Sequence, residues 1–438
     1  MRRSLTGEQA GGLVHARLGR PAQDLLEAVV VLEAWGGVPS ESALALDGVV
    51  LPPCATPAPA PARALARDDE QREGIVAEGI ALLVAIIAVA VWAGPLSRQL
   101  GTATLEHALR LALPLTLALQ WMLRSRYLGR GGGVRQLAEE RVAVLLVSVG
   151  VGAAIVAIPD VGPLVALFVL TWVGGAVMAR RGWGLAYAAL VTGEAVALGA
   201  DAPAYASLAL LGGIVLVACV VAVATARGRV EQAPGRLPRA LAAGAIGALL
   251  GGLLVGDDSL GWGVHGAFPG LALAPSVIGS LWGGYHLWQF YAAVPNGLRG
   301  MPLALASETI RGGPATRVLI GALTRLVGVT TLLSLAVLAA AQWTNGADSI
   351  GVFVAFGTAT LASLFVSLHE SLGYVGWAFV VALASLAVEL AITRWVAAPP
   401  PGLALSIAGA VGALLALAPL VRQLRSPGRM LATALWIK

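Results

Sequence analysis

Residues 349–368 read SIGVFVAFGTATLASLFVSL, and after His369-Glu370 the chain resumes at 371–394 with SLGYVGWAFVVALASLAVELAITR. The first run carries no charge and no proline. A bilayer's hydrocarbon layer is about 30 Å thick, which an α-helix crosses in about 20 residues. Lipid supplies no partner for backbone N–H or C=O, so a run of this length must be a helix that satisfies its own backbone. Working outward, similar runs lie near 77–94, 104–124, 142–158, 162–179, 183–200, 204–226, 239–256, 270–292, 317–342 and 402–421. The fold class is therefore an all-α integral membrane protein of about twelve transmembrane helices, arranged as two six-helix bundles behind a short cytoplasmic helical segment.

Composition agrees. Of 438 residues, 58% are hydrophobic and only 12% charged, with 55 glycines. A soluble domain carries about 25% charged residues, so half the expected solvating charge is missing and a water-soluble enzyme is excluded. The formal charge is +5, and Lys438 is the single lysine among arginines. A nucleic-acid binder gathers its basic residues on one face or stripe. Here they sit at the ends of apolar runs, which excludes nucleic acid as a partner and makes the basicity a matter of topology. Cys54 lies in a proline-rich stretch and Cys219 in an apolar run, so neither a metal site nor a disulfide is expected.

Arginine and lysine stay on the cytoplasmic side of short loops. With the N-terminus inside, the cytoplasmic connections carry Arg124, Arg126, Arg130, Arg135 and Arg141, then Arg180 and Arg181, then Arg227, Arg229 and Arg236, then Arg299 and Arg311. The opposite connections carry Arg98 and then mainly acids: Asp160, Asp201, Asp257, Asp258 and Asp348. Only Arg394 opposes the alternation. Both termini are thus expected in the cytoplasm, at a bacterial inner membrane. The organisation follows: a helical segment over 1–50, a Pro/Ala-rich and charged linker over 51–76, a first bundle over 77–226, a connection over 227–238, a second bundle over 239–421 and a tail over 422–438. In the N-terminal segment, Leu25, Leu26, Val29, Leu32 and Ala34 follow helical spacing up to Gly36-Gly37. So short a stretch buries only a small core, so it reads as a cap or a docking helix for a cytoplasmic partner.

Pro114 and Trp121 in the second run reappear as Pro275 and Trp282 in the eighth, 161 residues on in both cases. Paired halves related by an axis along the membrane normal belong to transporters that work by alternating access. The connection Leu128-Gly129-Arg130-Gly131-Gly132-Gly133-Val134-Arg135 lacks the acid of the major facilitator signature, and the central connection is short. With its two bundles, its cytoplasmic termini and a second helix ending Leu111-Ala112-Leu113-Pro114 through Arg124-Ser125-Arg126-Tyr127-Leu128-Gly129-Arg130, the chain resembles the flippases and exporters of the multidrug, oligosaccharidyl-lipid and polysaccharide superfamily. The resemblance implies a lipid-linked or polymeric glycan substrate, membrane lipids as surroundings, and no cofactor.

Ionisable groups at bilayer depth are costly and mark candidate sites. Arg325, in the ninth run, is expected as a buried fork for phosphate or as an ion-pair partner of Glu194 or Glu389. Glu194, in the fifth run, is expected as a coupling carboxylate or as that same pair. Arg110 lies where its side chain can snorkel to the interface, and Glu389 near the outer end of the eleventh run. His286 stands among Trp282, Tyr285, Trp288 and Tyr291, either touching substrate or anchoring in an aromatic belt. His369-Glu370 is expected in a short connection facing water. Pro114 and Pro275 interrupt the helical ladder as hinge candidates. The pairs Gly174-Gly175, Gly212-Gly213, Gly251-Gly252 and Gly283-Gly284 are candidates for close helix approach. No phosphate loop, His-Glu-x-x-His or acidic loop pair is present, so an enzyme is not expected. The functional expectation is a flippase moving an anionic, glycan-related or lipid-linked substrate by alternating access. Its alternative is a non-transporting scaffold or accessory subunit of a cell-envelope or exopolysaccharide assembly complex.

Overall fold

The structure, a computed structural model, describes residues 5–19, 25–36, 95–123, 161–180, 183–199, 237–257, 271–280, 314–343, 350–371 and 374–424, with a few isolated positions between them. Ten helices are named: α1 (Gly7–Leu18), α2 (Leu25–Gly36), α3 (Thr102–Leu123), α4 (Gly162–Arg180), α5 (Gly184–Gly199), α6 (Leu237–Val255), α7 (Pro314–Trp343), α8 (Ile350–Ser371), α9 (Val375–Trp395) and α10 (Leu403–Leu424). A shorter apolar helix covers Leu271–Ser280. No strand occurs among the described residues. Among the described residues, five segments are long and apolar enough to cross a membrane: Leu237–Val255, Ile320–Ala340, Ile350–Glu370, Val375–Trp395 and Leu403–Val421. They give the chain the character of a multi-pass membrane protein. The runs expected near 77–94, 142–158 and 204–226, and the linker over 51–76, fall mainly outside the described residues.

The N-terminal segment holds two helices where the sequence suggested one. A capping box starts α1: Gln9 N donates to Thr6 Oγ1 at 3.4 Å while Thr6 N donates to Gln9 Oε1 at 3.1 Å. Gly19, in the left-handed region at φ 67°, ends it with its N–H on the His15 carbonyl. These caps satisfy backbone groups that a helix end leaves open, offsetting the poor helix propensity of Gly7, Gly11 and Gly12. The two helices pack together through Ala10, Val14, Val29 and Leu32, all buried. Arg17 lies over the Trp35 ring at 5.8 Å.

Glycines draw the membrane helices together in two seams. On α6, Gly244, Gly247 and Gly251 lie on one face and meet α3. A Cβ on Gly244 would stand 3.3 Å from the Ala118 carbonyl oxygen and 3.3 Å from Met122 Cβ. One on Gly247 would run into the Leu117 carbonyl, and one on Gly251 would stand 2.5 Å from Pro114 Cα. Rising numbers on α6 meet falling numbers on α3, so the pair is antiparallel. The other side of α6 meets α9, with Gly252 against Leu386 and Gly256 against Glu389, and these two run parallel. In the second seam Gly351 packs at Pro401, and Gly409 at Thr358 and Ala359, so α8 and α10 are parallel. Val352, Phe356, Phe365, Leu405 and Leu420 fill the core between these helices, all of them buried. Helix α7 meets the Leu271–Ser280 helix through a Thr330 Oγ1 donor to the Pro275 carbonyl at 3.4 Å.

The seam makes a clean expectation. Alanine favours a helix over glycine by about 1 kcal/mol, so Gly251→Ala would stabilise an isolated α6. Against Pro114 the added methyl instead overpacks the seam, and an SDS unfolding titration is expected to show a loss of about 1–3 kcal/mol. Gly357, whose Cβ would meet nothing within 4 Å, serves as control: Gly357→Ala is expected to be neutral or stabilising. Equal responses at the two positions would contradict the seam.

Candidate functional site

The buried stripe of α5 runs Gly184, Tyr187, Ala188, Val191, Glu194 and Ala195, with Leu185, Thr192 and Val196 outside it. This is the helical repeat of three and four that turns one face inward. Five of those positions hold small, apolar or aromatic side chains; the sixth is a carboxylic acid. Tyr187, Val191 and Ala195 pack with Leu96 and with Leu105 of α3, while Leu167 and Phe168 of α4 close the cluster. Glu194 has 0% of its surface exposed, and neither carboxylate oxygen meets a hydrogen-bond partner among the described residues.

Two other polar groups share the neighbourhood. Tyr187 lies two turns before Glu194 on the same face of α5. Thr171 of α4 is buried, and its Oγ1 is likewise without a partner among the described residues. Helices α4 and α5 pack against one another. An ionised carboxylate stripped of water and of donors costs several kcal/mol. Such a group has chemical use when positive charge comes to it, as a proton, an alkali cation or a basic group. The oxygens of Glu194, Thr171 and Tyr187 are hard donors suited to those partners. Among the described residues, no three His, Cys, Asp or Glu side chains gather as a metal site.

The remaining candidates are dispersed. Arg325 is exposed on α7, and among the described residues no ion pair joins it to Glu194 or Glu389. The expectation of a buried fork or a buried pair therefore yields to an outward-facing arginine. The reason is the register of α7: Ala322 and Leu326 face Gly283, and Leu326 and Thr330 face Gly279, which turns Arg325 away. Arg110 is partly buried and pairs through Nη2 with Glu106 Oε1 one turn back, an i,i+4 contact along α3. Glu389 is wholly buried rather than peripheral, with its Oε2 beside Gly256 and with Asp257, also buried, following directly in the chain. His286 lies outside the described residues. Pro114 sits inside a continuous α3 with its Cα against Gly251, and Pro275 is buried with its carbonyl on Thr330. Both hinge candidates thus stand at helix contacts.

His369 and Glu370 do not lie in a water-facing connection. They form the last turn of α8 and both are buried. His369 Nε2 lies 2.8 Å from the Ala416 carbonyl of α10, which requires the N–H on Nε2, and Tyr374 meets the ring edge-on at 6.4 Å. Arg239, at the start of α6, donates to the Glu370 carbonyl at 3.3 Å. This knot of α6, α8 and α10 was visible in sequence only as a dipeptide next to an apolar run. Thr171 and Ser385, which donates to the Val381 carbonyl, gave no signal because single hydroxyls are common in such helices.

No protein-family model, no curated protein and no solved structure matches the chain.

A buried group without partners is destabilising, whereas a structural ion pair holds its helices together. Glu194→Leu is therefore expected to raise SDS resistance by about 1–3 kcal/mol, and Glu194→Gln to leave it near the parent. A loss of stability in Glu194→Leu would show that the carboxylate is a structural tie.

Proposed function

We propose that the chain is a membrane transporter working by alternating access, a bacterial inner-membrane flippase in which Glu194 is the coupling carboxylate. The observation that carries this reading is Glu194 itself: a wholly buried acid in an apolar helix stripe that meets no donor among the described residues. Ionisable groups retained at bilayer depth are functional sites by default. The reading adopts about twelve spans in two six-helix bundles with cytoplasmic termini. Helix directions support that plan. Numbered as the second, seventh, tenth, eleventh and twelfth crossings, α3, α6, α8, α9 and α10 should alternate in sense, and the antiparallel α3–α6 and parallel α6–α9 and α8–α10 pairs agree with it.

The substrate class, an anionic, lipid-linked or glycan-related molecule, rests on the resemblance to the polysaccharide flippases. Arg325 supplies no internal clamp for it. Energy enters through an ion gradient, with Glu194 exchanging its cation between the two sides. A second reading, a scaffold or accessory subunit, draws on the packed α1–α2 pair, a capped helical hairpin suited to docking a cytoplasmic partner.

Proteoliposomes loaded with a fluorescent lipid-linked oligosaccharide separate the two. Under an imposed proton or sodium gradient the parent protein is expected to move the lipid, and Glu194→Gln to slow it at least about tenfold, the scale on which a positioned proton carrier acts. Blank transport under both gradients, together with a co-purifying partner lost on deleting residues 1–38, would establish the scaffold reading instead.

A further inference from the structure

The exposed stripe of α7 runs Ile320, Thr324, Arg325, Leu332 and Leu335. Arg325 and Leu332 are seven residues apart and so share one side of the helix, and Leu332 is 70% exposed. The opposite side, Ala322, Leu326 and Thr330, is the one that packs on the 271–283 segment. Arg325 therefore lies on a face that the described residues leave uncovered, which in a bilayer would meet lipid. Within the apolar segment Ile320–Ala340 it is five residues from one end, about 7.5 Å along the axis. An extended arginine covers that distance, so the guanidinium reaches the headgroup layer while its methylenes stay among acyl chains.

We propose that Arg325 is a binding site for the phosphate of an anionic membrane lipid. A planar guanidinium meets a phosphate through two parallel N–H donors. At the hydrocarbon boundary the low dielectric strengthens that contact relative to water. A net-negative headgroup is preferred because a zwitterionic lipid carries its own ammonium beside the phosphate. An acid on a second copy of the chain is the rival occupant, and helices α3 to α10 offer none that is free: Glu106 is engaged by Arg110, and Glu194, Glu370 and Glu389 are buried, while the exposed Glu8 stands on α1, which is not among the helices long and apolar enough to span. By the arginine-rich connections, this end of α7 faces the cytoplasm, where anionic lipids concentrate. The site is separate from Glu194 and stands whether or not the chain transports.

The full-length protein, delipidated in detergent, is titrated with phosphatidylglycerol, with phosphatidylcholine and with soluble glycerol phosphate, and bound lipid is counted by native mass spectrometry beside the thermal midpoint. Phosphatidylglycerol is expected to bind and raise the midpoint, phosphatidylcholine to do so at least tenfold more weakly, and glycerol phosphate not to compete. Arg325→Gln is expected to lose one bound phosphatidylglycerol and the corresponding rise, and Arg325→Lys, which keeps the charge without the fork, to retain part of both. Unchanged phosphatidylglycerol binding in Arg325→Gln would overturn the proposal. So would spontaneous dimer cross-linking of a Leu332→Cys variant in membranes, which would place a second copy on this face. If Arg325→Gln does not fold, an Arg325→Lys variant with reduced phosphatidylglycerol binding and a smaller midpoint rise would support the fork, and one identical to the parent would overturn it.

Discussion

The close approach of α6 to α3 is the contact on which the rest of the arrangement depends. In lipid the solvent gives helices no hydrophobic reason to associate, so they are held by packing and by polar contacts. Packing strength falls steeply with distance, and only residues without side chains let two backbones come near. Gly244, Gly247 and Gly251 supply that on one face of α6, while Gly252 and Gly256 serve α9 on another. Helix α6 is thereby the shared wall between the N-terminal helices and the α8–α10 group. Its start is fastened separately, through Arg239 to the last turn of α8.

A framework joined by backbone contact is rigid along its seams, and this gives the buried acids their meaning. Glu194 lies in the α3–α4–α5 cluster, away from the glycine seams, and Glu389 lies against α6 where the seam ends. Glu194, in the apolar stripe of α5, meets no hydrogen-bond partner among the described residues, which is the feature the proposed coupling role draws on. The same logic separates Arg325, exposed on α7, from Arg110, which is paired along its own helix.

What the sequence reveals and what it hides follows from the solvent. The positions of α3 through α10 were legible because lipid allows one solution to the backbone problem over an apolar run of that length. Glu194 was legible as an acid in such a run. Which side of a helix faces inward was not, because a membrane helix is apolar all round, and this is where Arg325 was misplaced: its direction is set by Thr330 and Leu326 meeting Gly279 on another element. Glycine pairs carried a mixed signal. Gly251 and Gly283 do make close approaches, yet Cβ atoms on Gly212 and Gly213 would meet nothing within 4 Å, and the partners Gly244 and Gly247 are not adjacent in sequence at all. The burial of His369 and Glu370 was hidden for a similar reason, since it depends on Ala416 and Arg239 arriving from other helices.

The most direct measurement is disulfide trapping across the α3–α6 seam in native membranes, with Cys54 and Cys219 replaced. Met122→Cys with Gly244→Cys places two Cβ atoms about 3.3 Å apart, close to the disulfide range of about 3.5–4.5 Å. The account predicts rapid intramolecular cross-linking of this pair and none between Met122→Cys and Val255→Cys, eleven residues further along α6. Cross-linking to position 255 in place of 244, or to neither, would contradict an antiparallel seam and with it the role of α6 as the wall between the two groups of helices.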